Sequence, residues 1–456
     1  MDKKQVINQR QIAWLAASVF TSGGLFNWQN VLIRVSEIDA WFSYLLSIFY
    51  VFLIAAFFGY MAKLFPARNI FEISMLLLGR AGGTIVNLLM LFHFWESTVL
   101  DVSSMSRFTY TLLLHNTPIE ILILVPCLLL IYFGRTSIEI IARVNDLFYP
   151  LFVIVTLLMP LLLANEFHLP LITPVLTMPF QNIASGNILA LGNTGDIFIL
   201  GAFLHTVYNA KQFRSSIRHG SMLGIFLFTL VIFLVLIVLG PNMPANFIYP
   251  GYNLVQMIHV TDFLDRVDLV LLTIWLPTLA GKYIVAYLAI LIGINSMMNQ
   301  RDYPIMNKPV ALLFCLTTCL SFKSTTELLS FANFSSPVIV LAYQPLVMAI
   351  LFAAAKIRHR KQPLENQHSE EDTNQKSTPS KQMARISMRF SYNQWLWCGN
   401  ILILVCAFCV LMGLAFGKYS PLVGNVCALG FGSCLFLAVM TTYMEVSQLK
   451  QSQAGK

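Results

Sequence analysis

Charge is what this chain has least of. Only 11% of its 456 residues are Asp, Glu, Lys or Arg, against about 25% in an average soluble domain. Hydrophobic residues make up 57% of the chain, and the mean hydropathy is +0.71. A water-facing globular surface cannot be built from that mixture. The sequence also lacks a Gly-rich phosphate loop, a metal-ligand cluster and a nucleophile elbow. An enzyme is therefore not expected, and no cofactor or metal is implied. The eight cysteines are not spaced like a disulfide framework. Cys315 and Cys319, and separately Cys406 and Cys409, sit at helical spacing in apolar runs. Small packing residues account for them better than a redox or metal pair.

What the chain does have is apolar length. A bilayer core takes about 20 apolar residues per helix. Runs of this kind predict about twelve helices, at 11–33, 41–64, 84–114, 119–133, 145–164, 187–209, 220–240, 267–293, 307–321, 331–355, 397–417 and 421–443. Lys3, Lys4 and Arg10 precede the first run, as in a signal peptide. That run continues to Ile33 with no cleavage site after it, so it reads as a retained helix. With the N-terminus inside, 23 of the 29 Lys and Arg residues fall on the inner side and four on the outer, leaving Arg107 and Lys282 within helices. The net charge of +8 thus reflects membrane topology, not a nucleic-acid partner. Both termini are expected in the cytoplasm.

Residues 356–395 are the one stretch of low hydrophobicity and are expected to be a charged, disordered cytoplasmic linker. The linker divides a ten-helix unit, 1–355, from a two-helix extension, 396–456. Its basic ends suit contact with anionic membrane lipid, although a solvated linker is the plainer reading.

Two helices carry glycine-rich interruptions. The first contains Ser22-Gly23-Gly24 followed by Phe26, and the sixth contains Gly192-Asn193-Thr194-Gly195-Asp196. They stand five helices apart and run in opposite directions, as broken helices do around a midplane binding site. Close helix packing is the alternative explanation of the glycines. Ionisable residues at membrane depth cost roughly 2.5–3.5 kcal/mol each on insertion scales, so they face partners or cavities. The third helix carries His93, Glu96 and Asp101, the sixth Asp196 and His205, and the eighth Lys282. Lys282 is expected to pair with Glu96 or Asp101, either to fix helix register or as part of a ligand pathway. His93 and His205 read as packing residues. Asp268 is expected to stay ionised by lying near water at the outer end of the eighth helix.

The stretch "GRTSIEIIARVNDLFYP", with Gly134, Glu139, Arg143 and Pro150, resembles a motif of the spore germinant receptor B-subunit family. That family belongs to the amino acid–polyamine–organocation (APC) transporter superfamily. "FPARNIFEISMLLLGRAGG", "LITPVL" and "DRVDLVLLTIWL", the last containing Asp268 and Trp275, extend the likeness over residues 1–355. The resemblance implies an all-α integral membrane protein with a LeuT/APC-like 5+5 inverted-repeat core of ten helices; two C-terminal transmembrane helices extend beyond it. It further implies a subunit that senses a small-molecule germinant in the spore inner membrane, beside A-type and lipoprotein C-type subunits. The alternative is a proton-coupled amino acid permease. The expected ligand site comprises Ser22, Gly23, Gly24, Phe26, Trp95, Gly192, Asn193, Thr194, Gly195, Asp196 and Tyr283, with Glu96, Asp101 and Lys282 as its charge network. Two features depart from the family pattern: Asp196 stands where the family has Glu, and residues 356–456 exceed the usual length.

Overall fold

The computed structural model describes residues 7–25, 29–207, 209–258, 266–298, 306–361 and 391–454. The expectations placed on Phe26 and on linker residues 362–390 fall outside them. Among the described residues the chain is helical throughout, with no strand.

The first crossing is two pieces, α1 (Gln9–Thr21) and α2 (Gln29–Ser36), with a turn at 22–25 where the paired glycines stand. A 3-10 turn, Glu37–Phe42, leads into α3 (Leu45–Leu64), α4 (Ile70–Leu112), α5 (Ile119–Phe133) and α6 (Ile138–Leu162). The second half opens with α7 (Phe180–Thr194), which runs without a gap into a 3-10 stretch, Gly195–Thr206. Then come α8 (Ala210–Leu239), the short α9 (Pro250–Gln256), α10 (Val267–Met298) and α11 (Asn307–Ser321). The tenth crossing joins α12 (Thr325–Ser330), a π turn and α13 (Ser336–Lys361), and the last two are α14 (Tyr392–Phe416) and α15 (Pro421–Ala454). Nine of the described spans are long and apolar enough to cross a bilayer, and α5 is a shorter apolar helix. The broken α1–α2 pair and α11 bring the total to twelve.

Three differences from expectation have physical causes. The third crossing begins at Ile70, not near 84, as a long helix bent at Gly79 (φ 74°, ψ −176°). Only glycine adopts that backbone readily, and the stretch Gly79-Arg80-Ala81-Gly82-Gly83 separates the first turns from the apolar run that follows. The fifth crossing likewise starts at Ile138, because Glu139 and Arg143 pair across one turn at 2.5 Å. The sixth crossing is not unwound. It changes pitch from α to 3-10 at Gly195, with helical dihedrals kept on both sides, and a 3-10 run of that length inside a span is unusual.

Ile85, Phe92, Leu161 and Leu312 are each more than 60% exposed, forming the apolar belt a lipid-facing surface requires. The polar residues lie inside. α4 packs along α10, and both meet the 3-10 stretch; α8 lies against α1 and α3. Gly220 of α8 sits so close to α1 that an added Cβ would run into the Ala13 carbonyl, a small-residue approach typical of membrane helices. α15 rests on α8. There Arg218 Nη1 is 3.4 Å from Glu445 Oε2, and Gln9 Nε2 donates to the Val446 carbonyl at 2.8 Å. Both ion-pair partners are buried.

Candidate functional site

Breaking a helix in hydrocarbon frees backbone groups that need protein partners. At the end of α1, the Phe20 carbonyl accepts from Asn193 Nδ2 at 2.9 Å, and the Ser22 carbonyl accepts from Trp275 Nε1 at 3.0 Å. Thr21 Oγ1 and Tyr149 OH are 3.1 Å apart. Side chains of the fifth, sixth and eighth crossings thus hold the break in place.

Against the break lies an ion cluster. Lys282 Nζ is 2.7 Å from Asp101 Oδ2 and 2.8 Å from Asp196 Oδ2, and the three side chains are at most 6% exposed. The ammonium sits beside Gly23, where an added Cβ would collide with Asp101 Oδ1 and come within 2.5 Å of Nζ. This is the C-terminal end of α1, whose dipole favours a cation. Asp196 Oδ1 accepts from Ser97 Oγ at 2.6 Å and lies 3.9 Å from His93 Nε2. His93 Nδ1 is in turn 3.5 Å from Glu96 Oε2. Gln344 of α13 donates to the Gly195 carbonyl at 2.8 Å and accepts from Tyr50 OH at 2.7 Å. Both Glu96 carboxylate oxygens are buried without a hydrogen-bond partner among the described residues. Two carboxylates share the one buried ammonium and a third buried carboxyl group, Glu96, lies beside His93 beyond its reach, an excess of acid that low-dielectric surroundings oppose unless a proton or cation balances it.

The structure divides the expected ligand residues into groups. Ser22, Gly23, Gly24, Asn193 and Asp196 meet at the break, and Tyr283 reaches it by donating to the Asp101 carbonyl at 3.2 Å. A cavity of about 10 Å³ adjoins Asn193, room for about one water. Gly192 and Gly195 face the tenth crossing instead, where added Cβ atoms would meet Pro337 and Val340. Thr194 Oγ1 bonds Ser47 Oγ of α3 at 2.8 Å. For these three the close-packing alternative describes the geometry. Trp95 is also turned away, since its indole N–H donates to Thr317 of α11 at 3.1 Å; one helical step, about 100°, separates it from Glu96. Lys282 takes Asp196 as well as Asp101, and Glu96 stands outside the ammonium's reach. His93 joins the network where a packing role had been expected.

Of Gly134, Glu139, Arg143, Pro150, Asp268 and Trp275, only Trp275 touches the break, although Tyr149 of the same stretch as Pro150 reaches Thr21. Gly134 packs under the Asn307 side chain, Glu139 and Arg143 form their pair on an exposed face, and Pro150 lies inside α6. Asp268 is buried rather than watered. Arg266 Nε at 3.1 Å and Tyr252 OH at 2.7 Å keep it paired. Ser97, Tyr50 and Gln344 were missed by sequence reasoning. Gln344, a lone amide within the apolar tenth run, was the one with a visible signal.

A broken first helix capped from neighbouring crossings, around a buried ion cluster, defines a transporter-type membrane fold. The same fold is seen in Mhp1, a nucleobase-cation-symport-1 family transporter solved closed with bromovinylhydantoin bound. There the TM-score is 0.53 with 14% identity, over 97% of this chain and 93% of that one. The manganese transporter of Eremococcus coleocola aligns with a TM-score of 0.50 and 12% identity, over 98% and 96%. The sequence pattern of the spore germination protein family matches residues 6–327, and this chain belongs to that family. It is 25% identical to the putative spore germination protein YfkT of Bacillus subtilis (strain 168), over 73% of this chain and 91% of YfkT. It is 22% identical to the spore germination protein YndE of the same strain, over 66% and 82%.

Proposed function

We propose that this chain is the germinant-sensing membrane subunit of a spore germination receptor, a binding protein built on a transporter fold rather than an enzyme. The observation that carries the reading is the buried Lys282–Asp101–Asp196 cluster set against the break in α1, in a chain of the spore germination family. The ligand is a small nutrient, in the simplest case an amino acid, bound by backbone groups around Ser22, Gly23 and Gly24 with Asn193, Asp196 and Tyr283 at their side. Gly192, Thr194 and Gly195 hold the sixth crossing against its neighbours and set the shape of that pocket. Binding favours one of two helix arrangements, and the signal is the resulting shift in population.

On this reading residues 1–355 are the sensing core, 356–395 a cytoplasmic linker and 396–456 an extension. Both termini face the cytoplasm from the inner membrane of the spore. The partners are an A-type subunit and a lipoprotein C-type subunit, which relay the onset of germination and ion release. Lys282→Met is expected to insert normally in the membrane yet abolish the germination response, scored by screening spores against single amino acids and nucleosides. Normal germination of that variant would sink the reading.

Glu96, a buried carboxylate with no hydrogen-bond partner among the described residues, favours a second reading, a proton-coupled amino acid permease. Uptake of labelled amino acid by vesicles containing this chain alone, lost in Glu96→Gln, is its expected signature. A receptor subunit instead needs its partners and shows little uptake.

A further inference from the structure

A second cavity, of about 670 Å³, lies between α3, α8 and α13, and the ion site does not use it. Leu53 and Phe352 on its walls are 55% and 45% exposed, so its mouth faces hydrocarbon. Its inner wall reaches Pro345, the residue after Gln344. The other end is basic: Lys63 in the last turn of α3 and Lys211 and Arg214 at the start of α8 line it, with no carboxylate among the lining residues. The Arg214 stem packs on Gly59, and its Nε is buried without a hydrogen-bond partner among the described residues. A desolvated donor without an acceptor is costly, and here it stands beside two exposed ammonium groups.

An apolar groove open to hydrocarbon, ending in three cations, fits one ligand chemistry. We propose that it binds an anionic phospholipid, with the phosphate against Lys63, Lys211 and Arg214 and an acyl chain along Leu53, Pro345 and Phe352. A small soluble anion would gain nothing from the apolar walls of such a groove, whereas basic recesses between membrane helices suit lipid headgroups. α3 and α13 are also the helices that Tyr50 and Gln344 bridge at 2.7 Å. A lipid seated here braces one wall of the ion site.

The test uses the full-length protein in detergent, with lipid retention read by native mass spectrometry. Phosphatidylglycerol is compared with phosphatidylcholine of the same acyl chains. Each Lys or Arg beside an anionic headgroup contributes roughly fivefold, so phosphatidylglycerol should be retained at least about tenfold better. The Lys63→Gln/Lys211→Gln double variant, altered only at exposed side chains, should lose most of that preference while melting at the wild-type temperature. Ala349→Trp, which fills the acyl end, should lower retention of both lipids. Equal retention of the two lipids by the wild type overturns the proposal, as does a preference that survives in the double variant. Displacement of phosphatidylglycerol by millimolar inorganic phosphate reassigns the groove to a soluble anion and also overturns it. A preference that emerges only on deleting residues 362–390 assigns the groove to the Glu365, Glu370, Glu371 and Asp372 segment and overturns the lipid proposal too.

Discussion

A single lysine organises the middle of this protein. Lys282 holds Asp101 and Asp196 at 2.7 and 2.8 Å, and Gly23 leaves the room in which they meet. Gly23→Ala places a methyl group into Asp101 Oδ1 and Lys282 Nζ. Those tips are pinned by one another, and the ammonium also by Asp196, so they have little freedom to retreat. Overpacking of this kind costs about 1–3 kcal/mol, and a lower melting temperature for the purified Gly23→Ala protein is expected. A variant as stable as wild type would mean that the cluster yields easily. The charged members of this site were legible in the sequence because ions in apolar runs are expensive and therefore conspicuous. Ser97 and Tyr50 were not, since a hydroxyl at membrane depth is common. Trp95 misled for a related reason: its direction is set by Thr317 on another helix, and nothing in the α4 sequence records that partner.

Two glycine clusters five crossings apart marked both unusual helices, but not the form each takes. The first opens because Ser22 and Phe20 find donors on other crossings for their freed carbonyls. The sixth keeps its helical bonds and tightens to 3-10, with Gly192 and Gly195 pressed on the tenth crossing. Local composition signals a weak point, and long-range hydrogen bonds decide what becomes of it. Trp275→Phe tests this directly. It preserves the ring packing but leaves the Ser22 carbonyl without its donor, which costs about 1–3 kcal/mol for a buried acceptor and should lower the melting temperature accordingly. The unaltered stability of that variant would show that the break holds itself.

A third element-level contact lies outside the spans, where Asp39 accepts from the Leu176 and Met178 amides at 2.7 and 3.1 Å. Burial pushes its carboxyl from 3.8 up to about 6, against the pull of those amides. The folded chain then holds this proton more tightly than the unfolded chain. Its contribution is complete below pH 3.8 and is lost as the pH rises through about 6. The melting temperature should fall across that window, and Asp39→Asn should flatten the fall.

For the molecule as a whole, the lipid belt, the helix count and the ten-helix transporter core were legible, because hydropathy and loop charge report directly on the bilayer. The docking of the last two helices was not. Arg218 was assigned to an inner loop and Glu445 to the tail after the twelfth helix, so both were placed in water. In fact α8 begins at Ala210 and α15 continues to Ala454, which carries the two charges inside and makes them the buried link between core and extension. Arg218 Nη2 also donates to Asn400 of α14 at 3.0 Å, so one guanidinium reaches both added helices. Removing one member of a buried pair leaves an uncompensated charge and costs about 3–5 kcal/mol, whereas replacing both with apolar residues is often neutral or better. Arg218→Met alone is therefore expected to destabilise the protein strongly, and Arg218→Met/Glu445→Leu to recover most of the loss in thermal unfolding. If the double variant melts no higher than the single one, the pair does not hold the extension in place. Packing of α15 along α8 would then have to do so alone.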